Sequence, residues 1–158
     1  MELSSYLVGG EGAGRRRGSP AADVEFGPFG KGSNMKVAYA SDGTYFPAAG
    51  VRGGGNAAKA QQYKIDKFGK KINLPIVHEV ELLENERIVS ITQPGGGYGP
   101  PYERELPRVK KDFVEGWITK NRAFDIYGVT FTNEGEINLR ETSIKRELFK
   151  KLSKKKKN

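Results

Sequence analysis

The chain has no cysteine and a single histidine, His78, among its 158 residues. Without thiols, disulfides and thiolate metal sites are excluded. One imidazole rules out a His-rich zinc site or a His–His dyad on this chain alone. Long apolar runs are also missing, and nothing approaches the roughly 20 residues of a bilayer span. Residues 1–14 lack the charged start and apolar core of a signal peptide, and there is no N-glycosylation sequon. The expectation is a cytoplasmic protein with no membrane partner and no metal on this chain.

What the chain has instead is glycine and lysine. Only 36% of its residues are hydrophobic, against 21 glycines. Glycine adds no side chain to a core and raises the entropic cost of ordering the backbone. A chain of this length is one ordinary domain, but it should bury less apolar surface than its size suggests and lean on partners. The net charge is +8, and residues 145–158 alone hold +7 of it. The basicity therefore belongs to an end and not to a folded face, which reads as a solvated tail with no nucleic acid expected. The competing reading is a basic nucleic-acid- or membrane-binding module, whose affinity would fall steeply with salt.

Periodicity divides the rest into three zones. Residues 9–55 carry 13 of the glycines, with strands expected at 22–26 and 35–40 and a turn at 27–32. Residues 61–93 read as short antiparallel strands at 61–65, 70–74, 76–82 and 87–91, broken by turns at 66–69 and 84–86 and by Pro75. Ile76, His78, Val80 and Leu82 share one face, so His78 is expected to be a hydrogen-bonded structural residue. Residues 104–144 change period. Pro107 suits the first turn of a helix bearing Leu106, Val109 and Phe113 and ended by Gly116. Thr119 should cap a second helix with Ala123, Phe124 and Tyr127, closed by Gly128. A hairpin at 129–131 and 137–139 turns on Asn133-Glu134-Gly135, and Thr142 is expected to open a last helix. There Ile144, Leu148 and Leu152 lie at helical spacing, and Glu147 with Lys151 supports the helix at i,i+4. The domain thus runs over 1–144, followed by a basic helical end and lysine tail at 145–158.

The glycine clusters are not phosphate loops. Gly53-Gly54-Gly55-Asn56-Ala57-Ala58-Lys59 has the wrong spacing for a P-loop and no hydroxyl after the lysine. The dinucleotide fingerprint is absent, and one histidine with no nominated partner builds no catalytic triad. Glycines bounded by Pro94 and Pro101 suit close backbone approach, as turns or as polyproline-II segments packed side by side.

These same residues carry a resemblance. Gly95-Gly96-Gly97-Tyr98-Gly99-Pro100-Pro101-Tyr102-Glu103-Arg104 resembles the Gly-rich signature near the end of hydantoinase B/oxoprolinase proteins, the family that also holds the ATP-dependent ketone carboxylases. Val109, Asp112, Gly116, Ile118, Ala123 and Tyr127-Gly128-Val129 follow in matching spacing. Upstream, Asp42-Gly43, Phe46-Pro47 and Gly50-Val51-Arg52-Gly53-Gly54 resemble the family's Phe-Pro…Gly-Gly stretch, and Gly10–Gly18 its Gly-Arg-rich segment. The chain departs from the family at Pro100, where aspartate is usual, at Pro94, which replaces a glycine, and at Arg52, where an apolar or aromatic residue is common.

The resemblance implies a barrel-like pair of sheets running into Gly-rich polyproline-II-like segments, on a mainly β domain with a small helical C-terminal part. It implies no catalytic residue here. Gly95, Gly96, Gly97, Tyr98, Gly99, Glu103, Arg104, Arg52, Gly53, Gly54, Tyr127 and Gly128 form a structural or interface motif. Larger members continue well upstream, so the expectation is a separately encoded small subunit, with a truncated chain or a decayed gene as alternatives. Its expected partners are the rest of the hydantoinase B-like protein and an ATP-binding hydantoinase A-like subunit, with ATP and Mg or Mn on those partners and none here. The expected enzyme is an ATP-dependent ketone carboxylase of the acetone or acetophenone type, inactive as this chain alone. Hydantoinase or 5-oxoprolinase is the alternative.

Overall fold

A computed structural model describes residues 2–7 and 10–155, with side chains from residue 10 onward. Gly9 and the last lysine of the expected tail, Lys157, lie outside the described residues. The strands are β1 (Glu2–Leu7), β2 (Ala21–Phe26), β3 (Met35–Ala40), β4 (Gln61–Ile65), β5 (Lys71–Asn73), β6 (Val77–Leu82) and β7 (Arg87–Ile91). A 3-10 turn at Pro101–Glu103 precedes the helices α1 (Leu106–Val114), α2 (Lys120–Asp125) and α3 (Leu139–Lys155). The protein is mainly β with a small helical C-terminal part, as its patterning implied.

Every ladder is antiparallel. The larger sheet has the order β1-β2-β7-β4-β5, and β3 pairs with β6 in a separate two-stranded ladder. β7 occupies the middle, so its apolar residues Ile88, Val89 and Ile91 are buried. Consecutive strands part company at β6 and β7. The turn between them, with Asn85 at φ 66°, sends the chain from one sheet to the other. β1 has no counterpart in the sequence reading. Its Ser4-Ser5 centre and the register shift between Leu3 and Ser5 leave little alternation to detect.

Two separate cores result. Val80, Leu82 and Ile88, with Phe26, Met35, Val37, Tyr39 and Leu74 against them, glue the ladder to the sheet. The second core joins Ala13 to Val109, Ile118, Ala123, Tyr127, Val129 and Phe131, with Phe113 stacked on Phe131 at 4.4 Å. His78 corrects expectation: it pairs with Tyr39 at the frayed end of β6, is exposed, and makes no side-chain hydrogen bond among the described residues. The apolar face on which it sits becomes buried only from Val80 onward.

The helical part holds further corrections. α3 opens at Leu139, because Asn138 Oδ1 accepts from the Glu141 N–H and acts as the cap. Thr142 is instead buried, its hydroxyl accepting from Thr130 N–H at 3.1 Å. The expected hairpin shrinks to one bridge, Phe131 with Ile137, since Leu139 already belongs to the helix. With Thr142, Arg146, Phe149 and Ser153 turned inward, Ile144, Leu148 and Leu152 face solvent. Glu147 pairs with Lys150, not Lys151.

Candidate functional site

Three glycine-rich segments, residues 10–19, 48–58 and 94–100, pack backbone to backbone. Gly95 accepts from Gly12 N–H at 2.8 Å and donates to Ser19, while Arg16 and Tyr98 exchange both hydrogen bonds at 2.8 and 3.0 Å. On its other side the third segment meets the second: Gly97 donates to Gly55, and Val51 donates to Gly97. The triangle closes where Gly55 donates to Ala13 at 2.7 Å. Each segment thus satisfies its backbone on the other two, without regular ladders.

Such proximity dictates the residue type. A Cβ on Gly97 would strike the Ala13 carbonyl, one on Gly96 the Ala49 carbonyl, one on Gly95 the backbone of Ser19 and Gly18, and one on Gly54 the Gly97 carbonyl. Gly53 and Gly99 are needed for conformation, with φ of 88° and 72°. Arg52 shares that left-handed region at φ 51°, an uncommon place for a side chain. It turns its guanidinium over the Tyr98 ring and donates to the Tyr98 hydroxyl at 3.0 Å. Arg52 and Tyr98 thereby lie together on the exposed rim of the strip.

Buried ion pairs fasten the strip to the helices. Asp112, on the inner face of α1, accepts from Arg104 Nε at 3.0 Å through one oxygen and from Arg17 Nε at 3.1 Å through the other. Arg104 also reaches the Arg15 carbonyl, and Arg146 donates to the carbonyls of Arg104 and Tyr127. Arg122 holds the Glu11 carbonyl at 2.8 Å and lies 3.3 Å from the buried Glu11 carboxylate. Burial, with the Glu11 charge adding to it, pushes the Tyr127 hydroxyl up to about 12. Gly128 at φ 63° closes α2 and leaves room for Arg146 and Phe149.

The sequence motif is therefore brought together in large part: Gly95 through Gly99, Arg52 through Gly54 and Arg104 form or edge one strip, and Tyr127 and Gly128 sit behind it. Glu103 does not join them, remaining exposed at the surface. Glu11, Arg17, Asp112, Arg122 and Arg146 carry the fastening and were not singled out for it. Asp112 alone left a trace, as a carboxylate on the apolar face of Val109 and Phe113. Among the described residues no three His, Asp or Glu side chains converge as metal donors.

The strip and its ion-pair fastening define a structural class: a β domain capped by a Gly-rich backbone bundle. The profile described as hydantoinase B/oxoprolinase matches residues 1–101, and the chain belongs to that family. It is 28% identical over 142 residues to the beta chain of caprolactamase from Pseudomonas jessenii, covering 84% of this chain and 23% of that protein. Over 49 residues it is 49% identical to the B component of a putative D-/L-hydantoinase from Pseudomonas sp. (strain NS671), covering 31% of this chain and 8% of that one. Among solved structures, the ATP-dependent caprolactamase from Pseudomonas jessenii superposes with a TM-score of 0.73 at 25% identity, over 90% of this chain and 25% of that one. Nucleotide-free acetone carboxylase shares the fold, with a TM-score of 0.63 at 18% identity over 93% and 24% of the two chains. This chain spans about a quarter or less of the relatives it matches.

Proposed function

We propose that this chain is the C-terminal structural part of an ATP-dependent enzyme that opens a cyclic amide. The observation that carries this is its likeness to the caprolactamase beta chain, at 28% identity over 84% of its own length. The hydantoinase relative points to the same chemistry, a ring amide. Ketone carboxylation, the reaction expected first from the sequence, has a likeness of fold in its favour and no more, so ring opening takes precedence.

A ring amide is a weak electrophile, because the nitrogen lone pair delocalises into the carbonyl. Phosphorylation of the carbonyl oxygen by ATP, with release of ADP, would make the carbonyl carbon electrophilic. Water adds to it, the ring C–N bond breaks with the nitrogen leaving as a protonated amine, and the resulting acyl phosphate is hydrolysed to carboxylate and phosphate. The phosphorylated intermediate reacts with water, so it has to stay within one closed assembly. ATP and the Mg or Mn ion belong, on this reading, to an ATP-binding hydantoinase A-like partner and the remainder of the hydantoinase B-like protein. This chain contributes rigidity: a bundle in which Gly54, Gly96 and Gly97 press directly on the backbone of neighbouring segments makes a stiff wall.

The test is ATP hydrolysis by a complex assembled from this chain with the proposed hydantoinase A-like partner and the remainder of the hydantoinase B-like protein. A lactam, hydantoin or 5-oxoproline should stimulate turnover without bicarbonate. Turnover that requires both a ketone and bicarbonate would replace this reading with carboxylation.

A further inference from the structure

α3 docks through a mostly polar face and leaves an apolar one outside. Its inner face is docked by Phe149, set edge-on to Tyr102, and by Ser153, hydrogen-bonded to the Tyr102 hydroxyl at 2.9 Å. On the outer face Ile144, Leu148 and Leu152 recur every fourth residue and are 64%, 50% and 50% exposed. Next to them Phe124, Thr130, Glu141, Ile144, Lys145 and Leu148 enclose a shallow cavity of about 240 Å³, with room for one large apolar side chain. An apolar stripe on a helix already docked through its other face adds little to this chain's own core. Exposed apolar rows of this kind mark contact sites.

The borders of the stripe say what fits it. Helical spacing puts Lys151 and Lys155 along one border of the Leu148 row, and neither forms an ion pair among the described residues. Lys145 forms the other border, its ammonium 3.7 Å from the centre of the Phe124 ring. Glu141 is the one acid on this face and sits at the first turn. A second copy of the chain would bring lysines against lysines, so self-pairing is disfavoured. Nucleic acid suits the lysines but leaves the leucines against phosphates.

We propose that the outer face of α3 is the docking surface for an amphipathic helix of a larger subunit, with apolar residues at i, i+4 and i+8 between flanking carboxylates. One partner side chain enters the cavity beside Phe124, and its acids meet Lys145, Lys151 and Lys155. This rests on the assembly set out under Proposed function and adds the surface through which it forms.

The experiment measures binding of the full chain to the proposed hydantoinase A-like and hydantoinase B-like partners, by co-purification and by titration, alongside sizing of the chain alone. Leu148→Glu should weaken binding by about tenfold or more, the scale expected for losing one buried leucine contact, with an unchanged melt of the free chain. The double variant Lys151→Glu/Lys155→Glu should weaken binding several-fold at low salt, with the difference shrinking as salt rises. Wild-type binding that all these variants retain would overturn the docking surface while leaving the ring-amide assembly standing. Absence of any wild-type complex would overturn both. A dimer of the chain alone that Leu148→Glu dissolves would make a second copy the occupant and sink the proposal. So would tight binding to a duplex oligonucleotide that the lysine variant loses and Leu148→Glu keeps.

Discussion

Two arginines 87 positions apart, Arg17 and Arg104, converge on the carboxylate of Asp112, and all three side chains are largely withdrawn from water. Such a group costs much to desolvate, and it is tolerable only while both its charges and its hydrogen bonds are matched. Asp112→Asn keeps the shape, removes the charge and leaves two guanidiniums facing each other. The expected loss is roughly 3–5 kcal/mol of stability, read by urea denaturation. A loss below about 1 kcal/mol would mean that water reaches the site freely. Tyr127 supplies a pH signature of the same region. Its hydroxyl is raised from 10.0 to about 12 in the folded protein, so the folded state holds its proton where the unfolded state releases it. This contribution is fully present below pH 10 and is lost between pH 10 and 12, on the order of 2–3 kcal/mol in all. Tyr127→Phe should flatten that alkaline decline. An unaltered slope would assign the decline to Tyr39 and Tyr63, which burial also raises.

At the scale of elements, the glycine strip sorts its own residues. Gly96 and Gly97 face carbonyls of the neighbouring segments and have no room for a Cβ, whereas Gly10 would place one 3.7 Å from Ala58 and Gly55 at ordinary distance from Ala13. Gly97→Ala and Gly96→Ala should therefore destabilise by several kcal/mol or block folding, with Gly96→Val worse. Gly10→Ala should be neutral or stabilise by about 0.4–1 kcal/mol, through a less flexible unfolded chain. Equal tolerance in circular-dichroism melts at Gly97 and Gly10 would mean that the three segments do not pack this closely. Glycine runs bounded by prolines pointed to close backbone approach at residues 94–101, but not to which segments meet there. Strands β3, β4 and β7 were legible to the residue, β3 because its residues alternate and β4 and β7 because a turn signal adjoins each short run. What the sequence did not disclose was partnership. Nothing in Arg87–Ile91 says that it leaves β6 to lie between β2 and β4. α3 was misread at its start, since Asn138 caps it and Thr142 is buried, and the spacing of Ile144, Leu148 and Leu152 did not say which face meets the core. The inward face is polar by composition and satisfied by specific bonds from Thr142, Arg146 and Ser153.

Taken as a whole molecule, the protein has two modest cores and a large amount of apolar surface outside them. Phe29, Phe46 and Phe68 are more than four-fifths exposed, and the apolar row on the outer face of α3 adds to them. The fully buried part of the first core is three residues, Val80, Leu82 and Ile88, with half-covered neighbours. Burial on this scale leaves a narrow margin over the entropy of ordering a chain with 21 glycines. A partner that binds the folded form alone adds stability in proportion to the logarithm of its concentration over Kd, about 2.7 kcal/mol at a hundredfold excess. The isolated chain should therefore unfold at low temperature, with a broad transition or with aggregation. Co-expression with the partners proposed above should raise soluble yield and sharpen the melt, and Leu148→Glu should cancel that gain without lowering the melting point of the free chain. A steep two-state melt of the isolated monomer, with the cooperativity expected of 158 residues, would show that the two cores and the strip suffice by themselves. Dependence on a partner for folding would then be excluded, and the exposed rows of α3 would serve recognition alone.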